Sequence, residues 1–284
     1  MIKRLTFLAL GLLLAYAPVF SQRLPQLGIA ASLENDAVLY QSGFRLIGES
    51  VGSLLSPKMN YQQFLQKAAS LKNAKCKVYM CNSFFPGDMK IAGDKVIENE
   101  VLIFADTVFS RANKAGIPAI VLGSGSARRL PEGYDVKKAT EDFINLAKKL
   151  ALLAGKYKVK LFLEALNSTE TNFITTLSQA AYIVKSVNHP SFRLNADIYH
   201  MLKENEPPQS IIDAGSVIEY CEIAERDERT YPGFKGDNFV PYLKALKTVK
   251  YKGYIFIEGR WKDYKTEAPL AKAYMEQQLK QAYK

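Results

Sequence analysis

The chain has 284 residues, 48% of them hydrophobic and 23% charged, which suits one large packed core and excludes a disordered or fibrous protein. A formal net charge of +10 raises the question of a nucleic-acid or anionic-surface partner. No basic run is interleaved with stacking aromatics, and lysines such as Lys137, Lys138, Lys148, Lys149 and Lys156 instead coat helix faces, which argues against nucleic acid.

At the start of the chain, Lys3 and Arg4 precede a nearly unbroken apolar stretch from Leu5 to Val19, and Val19-Phe20-Ser21 offers a cleavage site before Gln22. The stretch is short for a membrane span, which takes roughly 20 residues, and no cysteine follows it to carry a lipid anchor. The expectation is a signal peptide over residues 1–21 and a mature chain over 22–284. That chain would be exported, periplasmic or secreted, with no stable membrane anchor after cleavage.

Beyond Gln22, short apolar runs alternate with longer amphipathic stretches. The predicted strands are Leu27–Ala31, Phe44–Gly48, Lys77–Asn82, Ala119–Gly123, Lys160–Glu164, Phe192–Asp197, Val217–Ala224 and Tyr254–Glu258. Predicted helices between them include Tyr61–Lys72, Lys95–Ala115, Val136–Lys156, Thr171–Ser186 and Phe239–Val249. In Val136–Lys156, Phe143, Leu146, Ala147, Leu150, Leu153 and Ala154 recur at helical spacing while lysines fill the other face. The strands are continuous apolar runs, as expected when both faces are covered. Eight such repeats predict a single α/β domain, a (β/α)8 TIM barrel; an open doubly wound sheet is the alternative. Cys76, Cys81 and Cys221 read as buried free thiols: the first two point to opposite faces of one strand, and the count is odd.

In such a barrel the active site forms at the C-terminal ends of the strands. Four successive strands place carboxylates there: Glu164, Asp197 (with His200 three residues on), Glu222 and Glu258. A lone acid at a strand end caps a helix or pairs with lysine. Four converging carboxylates repel unless a cation or proton offsets them, and oxygen ligands suit Mn, Mg or Ca better than Zn.

Four segments carry a family resemblance. Glu164-Ala-Leu-Asn167-Ser-Thr-Glu170, Asp197-Ile-Tyr-His200-Met, and Ile223-Ala-Glu225 followed by Arg229-Thr-Tyr-Pro232-Gly233 resemble the xylose isomerase-like barrels that include tagatose and psicose 3-epimerases, and Tyr251-Lys-Gly253-Tyr-Ile-Phe-Ile-Glu258 is similar to their last strand. The resemblance implies Glu164, Asp197 and Glu258 as metal ligands, and Glu164 and Glu258 also as the catalytic acid/base pair. It implies Glu170, His200 and Arg229 as substrate-binding residues. A divalent metal would acidify the C–H beside a carbonyl, and flanking carboxylates would remove and return the proton.

The chain departs from that pattern at Tyr220 and Glu222, where the family presents His-x-His with the second histidine a ligand. Glu222 would make an all-carboxylate shell for the metal, or the site would be metal-free with one carboxyl protonated. One extra residue also separates Glu222 from Arg229. The endonuclease branch of the superfamily needs many histidines, and the chain has only His189 and His200. His189 reads as an exposed turn residue. Gly123-Ser-Gly125-Ser-Ala-Arg128-Arg129 reads either as an anion receptor or, preferably, as a flexible loop with surface arginines. Trp261 would either stack on a sugar or cover the barrel edge.

The expectation is therefore an exported isomerase or epimerase acting on a small sugar or keto-sugar, compatible with a homo-oligomer. The alternatives are a lyase or hydratase of keto-glycosides, or a catalytically silent sugar-binding barrel.

Overall fold

Residues 23–284 are described by the structure, a computed structural model; the expected signal peptide and its cleavage site lie outside them. Eight short runs rich in β-branched, aromatic and leucine residues form the strands: β1 (Leu27–Ala30), β2 (Leu46–Ser50), β3 (Lys77–Asn82), β4 (Ala119–Leu122), β5 (Lys160–Glu164), β6 (Phe192–Asp197), β7 (Ile218–Ile223) and β8 (Ile255–Ile257). They pair in chain order, all parallel, and β8 closes on β1. The result is the (β/α)8 barrel expected, not the open sheet.

Eleven α-helices accompany them among the described residues. In the first half these are α1 (Asp36–Gln41), α2 (Val51–Leu54), α3 (Tyr61–Ser70), α4 (Glu98–Ala115), α5 (Gly125–Arg128) and α6 (Val136–Lys156). In the second they are α7 (Leu177–Val187), α8 (Ile198–Lys203), α9 (Gln209–Ala214), α10 (Val240–Thr248) and α11 (Tyr264–Tyr283). Local chemistry sets their ends. Asp135 accepts the N–H groups of Lys137 and Lys138 to start α6, Asn60 and Gln63 cap α3 reciprocally, and Gly116 ends α4 at a left-handed φ of 71°. The predicted second strand begins two residues early, because Phe44 is a core residue of the turn, its N–H bonded to Leu39. The predicted helix Thr171–Ser186 loses its first turn to the loop that carries Thr171 to Thr176. No helix among the described residues is long and apolar enough to cross a membrane.

What matters for the site is how the barrel is filled. Leu46, Met80, Ala119, Val121, Phe162, Tyr220 and Phe256 form an inner cluster, with Phe162 and Tyr220 stacked at 5.1 Å and 7°. Gly28 leaves room for Phe256, whose ring lies 2.5 Å from where a Cβ would sit. Side chains alternate along a strand, so the residue two further on also points inward but one layer higher. That parity raises Glu164 above Phe162, Glu222 above Tyr220, Glu258 above Phe256, and Asp197 above Asn195. An aromatic floor thus carries an acidic mouth. Cys76, Cys81 and Cys221 are buried free thiols, and burial pushes the Cys76 thiol up to about 12.

Candidate active site

The four predicted carboxylates meet. One oxygen each from Glu164, Asp197, Glu222 and Glu258 lies within 4.8 Å of the others. They are not held alike. Glu258 accepts from Asn82 Nδ2 at 2.7 Å through Oε1 and from Arg229 Nη2 through Oε2. Glu222, fully buried, accepts from Asn195 Nδ2 at 2.5 Å and from the Tyr220 hydroxyl at 3.4 Å. Asp197 Oδ1 caps α8, accepting the N–H groups of Tyr199 and His200 at 2.8 and 3.3 Å. Glu164 stands apart: no hydrogen bond among the described residues reaches its carboxylate, and the nearest donor is His200 Nε2 at 3.7 Å from Oε1. Gly123 makes space for it, since a Cβ there would lie 2.3 Å from Glu164 Oε2.

The histidine is oriented from behind. His200 Nδ1 accepts the Asn167 backbone N–H at 3.0 Å, so the neutral ring carries its proton on Nε2. Burial holds the ring neutral by lowering its pKa. Nε2 has no hydrogen-bond partner among the described residues and lies 3.7 Å from both Glu164 and Asp197. Asn167 also donates to Glu170 at 3.0 Å, which faces Arg229 Nη1 at 3.7 Å.

Arg229 does reach the site. The segment after Glu222 turns through successive left-handed residues Glu228 and Arg229, at φ of 58° and 54°. Arg229 then lays its guanidinium over the Tyr199 ring at 4.6 Å and against Glu258, with Asp197 at 3.9 Å. Burial opposes its charge, but Glu258, Asp197 and Glu164 outweigh that and raise its pKa.

Charge does not balance here. Burial first, then neighbouring carboxylates, pushes Glu164 and Glu222 well above the usual 4.5. Burial also raises Glu258, against the pull of Arg229. Four carboxylates face one guanidinium, and only protons or a further cation offset the excess. The donor set, all oxygen and largely buried, fits a hard divalent ion. A second grouping of Glu164, Asp197 and His200 also brings ligand atoms within 4.8 Å, but His200 would have to give up its Nε2 proton to join it.

A cleft of about 290 Å³ opens above the cluster, at the lower limit of small-molecule sites, about 300–1,000 Å³. Glu164, Glu258, Glu170, His200 and Arg229 line it, opposite Phe85, Leu166 and the turn from Ser124 to Ala127. Asp197 and Glu222 lie beneath, 3% and 0% exposed.

Two expectations are corrected, for residues 123–129 and His189, and Trp261 falls on one of its two alternatives. Residues 123–129 are not a flexible loop with surface arginines: Gly125–Arg128 is a helical turn and Arg128 is fully buried. His189 is half-buried, its Nδ1 accepting from the Ser191 N–H. Trp261 takes its structural alternative, stacked on Tyr231 at 5.4 Å and 5° and on Tyr264 at 5.2 Å. Glu225, fully buried, organises the loop after β7 by accepting from Thr230, Gly233, Lys235, Gly236 and Asp237. Asn82, Asn167, Asn195 and Gly123 were not read from the sequence. Strand parity would have found Asn195, two residues before Asp197; Asn82, at the end of β3, shares its strand-exit position with the acids.

Residues 63–280 match the family described as xylose isomerase-like TIM barrel. Over 112 residues the chain is 33% identical to L-ribulose 3-epimerase of Methylomonas sp. (strain DH-1), covering 39% of each chain. Over 107 residues it is 30% identical to ketose 3-epimerase of Arthrobacter globiformis, covering 37% of each. The aligned part thus spans about two fifths of these relatives' length. It is also 26% identical over 125 residues to 3-dehydro-D-guloside 4-epimerase of Escherichia coli (strain K12), covering 44% of this chain and 46% of that one. Among solved structures, an L-ribulose 3-epimerase superposes with a TM-score of 0.77 at 21% identity, covering 91% of this chain and 95% of the other. A 3-keto-D-glucoside 4-epimerase from E. coli gives 0.75 at 18% identity, covering 89% and 99%.

Proposed function

Since the chain belongs to the xylose isomerase-like TIM barrel family, we propose that it epimerises or isomerises a keto-sugar by moving a proton at the carbon beside the carbonyl. The observation that carries this reading is the arrangement of Glu164 and Glu258. Of the four clustered carboxylates, these two line the open cleft, from non-adjacent strands of the barrel mouth. One carboxylate would remove the proton and the other return it, the requirement for acid/base chemistry on the two faces of one carbon. Burial raises the proton affinity of both above that of an ordinary carboxylate, which suits groups that take up and release a proton. His200 Nε2–H, Arg229 and Glu170 would orient substrate oxygens, and Phe85 and Leu166 would shield the reacting carbon from water.

Glu164, Asp197, Glu222 and Glu258 would hold a divalent ion, Mn, Mg or Ca in preference to Zn. Such an ion, when bound, polarises the carbonyl and neighbouring hydroxyl oxygens. The activities of these relatives favour two substrate classes, free ketoses and keto-glycosides, and proton removal from the latter would also serve a lyase or hydratase. Incubation in D2O with ketopentoses, ketohexoses and 3-keto-glycosides, with Mn2+ or EDTA, tests the proposal. Deuterium should enter beside the carbonyl together with the epimer, and Glu164→Gln or Glu258→Gln should abolish both. No exchange on any of these substrates would reduce the protein to a silent sugar-binding barrel.

We also infer export, from Lys3, Arg4 and the apolar stretch before Gln22. N-terminal sequencing of fractionated protein should find a chain beginning near Gln22; a full-length cytoplasmic chain would refute it.

A further inference from the structure

The buried guanidinium of Arg128 is unexplained by the chemistry above. It is 0% exposed and makes no ion pair with a carboxylate within 4.0 Å among the described residues. Its Nη1 donates to the main-chain oxygen of Glu164 at 2.7 Å and its Nη2 to that of Ile174 at 3.2 Å, while its Nε has no partner. Burying a charge costs several kcal/mol unless charges nearby compensate, and a neutral donor would satisfy two carbonyls. The carboxylates of Glu164 and Glu170 oppose that cost from a distance.

The two carbonyls are informative. One belongs to the last residue of β5, the other to Ile174, a β-branched residue held at a φ of 60°, which isoleucine resists. Arg128 therefore ties the end of the strand to the far end of the loop that follows it. Glu258 and Glu222 are fixed through their own carboxylates, by Asn82 with Arg229 and by Asn195 with Tyr220. Glu164 has no such bond, so the position of its carboxylate depends on its backbone, and the backbone is gripped by Arg128.

We propose that Arg128 is a positioning residue that sets the Glu164 carboxylate through the main chain. This rests on the role given to Glu164 above. The test compares Arg128→Met, Arg128→Lys and, as a control, Arg111→Met. Arg111 is another buried arginine that donates to main-chain oxygens, those of Ser56 and Met59, and none of the three lines the cleft. With a ketose as substrate, Arg128→Met should lower kcat by about 100-fold, the cost of roughly 1 Å of misplacement, with KM changed less than about threefold. Arg128→Lys keeps the charge but cannot span both carbonyls, and should recover part of the loss. Arg111→Met should lower Tm with little change in kcat. If Arg128→Met is too unstable to purify, the lysine variant carries the same comparisons. Crystal structures of either variant keep this test separate from the proposed reaction: displacement of the Glu164 carboxylate supports the assignment even if no ketose is turned over. A variant with an unmoved carboxylate or unchanged kcat would overturn it, as would an equal loss in Arg111→Met.

Discussion

Glu222 stands where the family resemblance read from the sequence implies a neutral histidine ligand, and its neighbours determine the consequence. A glutamate there adds a negative charge beneath a cleft already lined with acids. Each added charge strengthens attraction for a hard cation and increases the repulsion when none is bound. Glu222→Ala should therefore weaken Mn2+ binding while leaving the barrel folded, and Glu222→His should improve Zn2+ relative to Mn2+. Calorimetric titration of the three proteins reads both effects. Asn195→Ala, which removes the donor holding Glu222, should cost about 10–100-fold in affinity. If wild type binds no divalent ion, the metal reading fails.

The same residues give a pH dependence of stability. Glu164 and Glu222 titrate well above 4.5 when folded, so between the unfolded and folded values the native state binds more protons than the unfolded chain. Stability contributed by these groups is therefore lost as pH rises through that window. In EDTA, Tm should fall with rising pH, less steeply in Glu222→Gln. Saturating Mn2+ should flatten or reverse the slope, because the ion takes the protons' place. A Tm that rises with pH equally in both proteins would contradict this assignment.

At the scale of strands and helices, much was legible. Continuous apolar runs announced strands covered on both faces, and acids at their C-terminal ends marked the mouth. The parity Phe162–Glu164, Tyr220–Glu222 and Phe256–Glu258 was present in the sequence as well, though its meaning depends on the barrel closing. Arg128 was not legible: beside Arg129 in a glycine- and serine-rich segment it looks like solvent-facing charge, whereas the fold buries it against the main-chain oxygens of Glu164 and Ile174. The reach of Arg229 was equally hidden, because two successive non-glycine residues in left-handed conformation are uncommon enough that no spacing argument anticipates them. α11 was missed because alanines fill several of its buried positions and Pro269 interrupts it. Gly123 supplies a test at this scale. Gly123→Ala would put a methyl group where Glu164 Oε2 sits, so kcat should drop about 10–100-fold with Tm little changed. An alanine variant of full activity would show that Glu164 need not occupy this position.

For the whole molecule, one feature described above has an optical consequence. The chain has a single tryptophan, and Trp261 lies sandwiched between Tyr231 and Tyr264, three residues beyond Glu258. Its strand segment is bridged to the loop of Arg229 through Thr230 and Arg260. Indole emission from the entire protein thus originates at one point on the rim, next to the loop that delivers the arginine. Binding of an ion or a sugar that shifts Arg229 should change emission intensity or wavelength in a saturable titration, and Arg229→Ala should blunt the response. The protein would then report the occupancy of its own mouth without any attached dye.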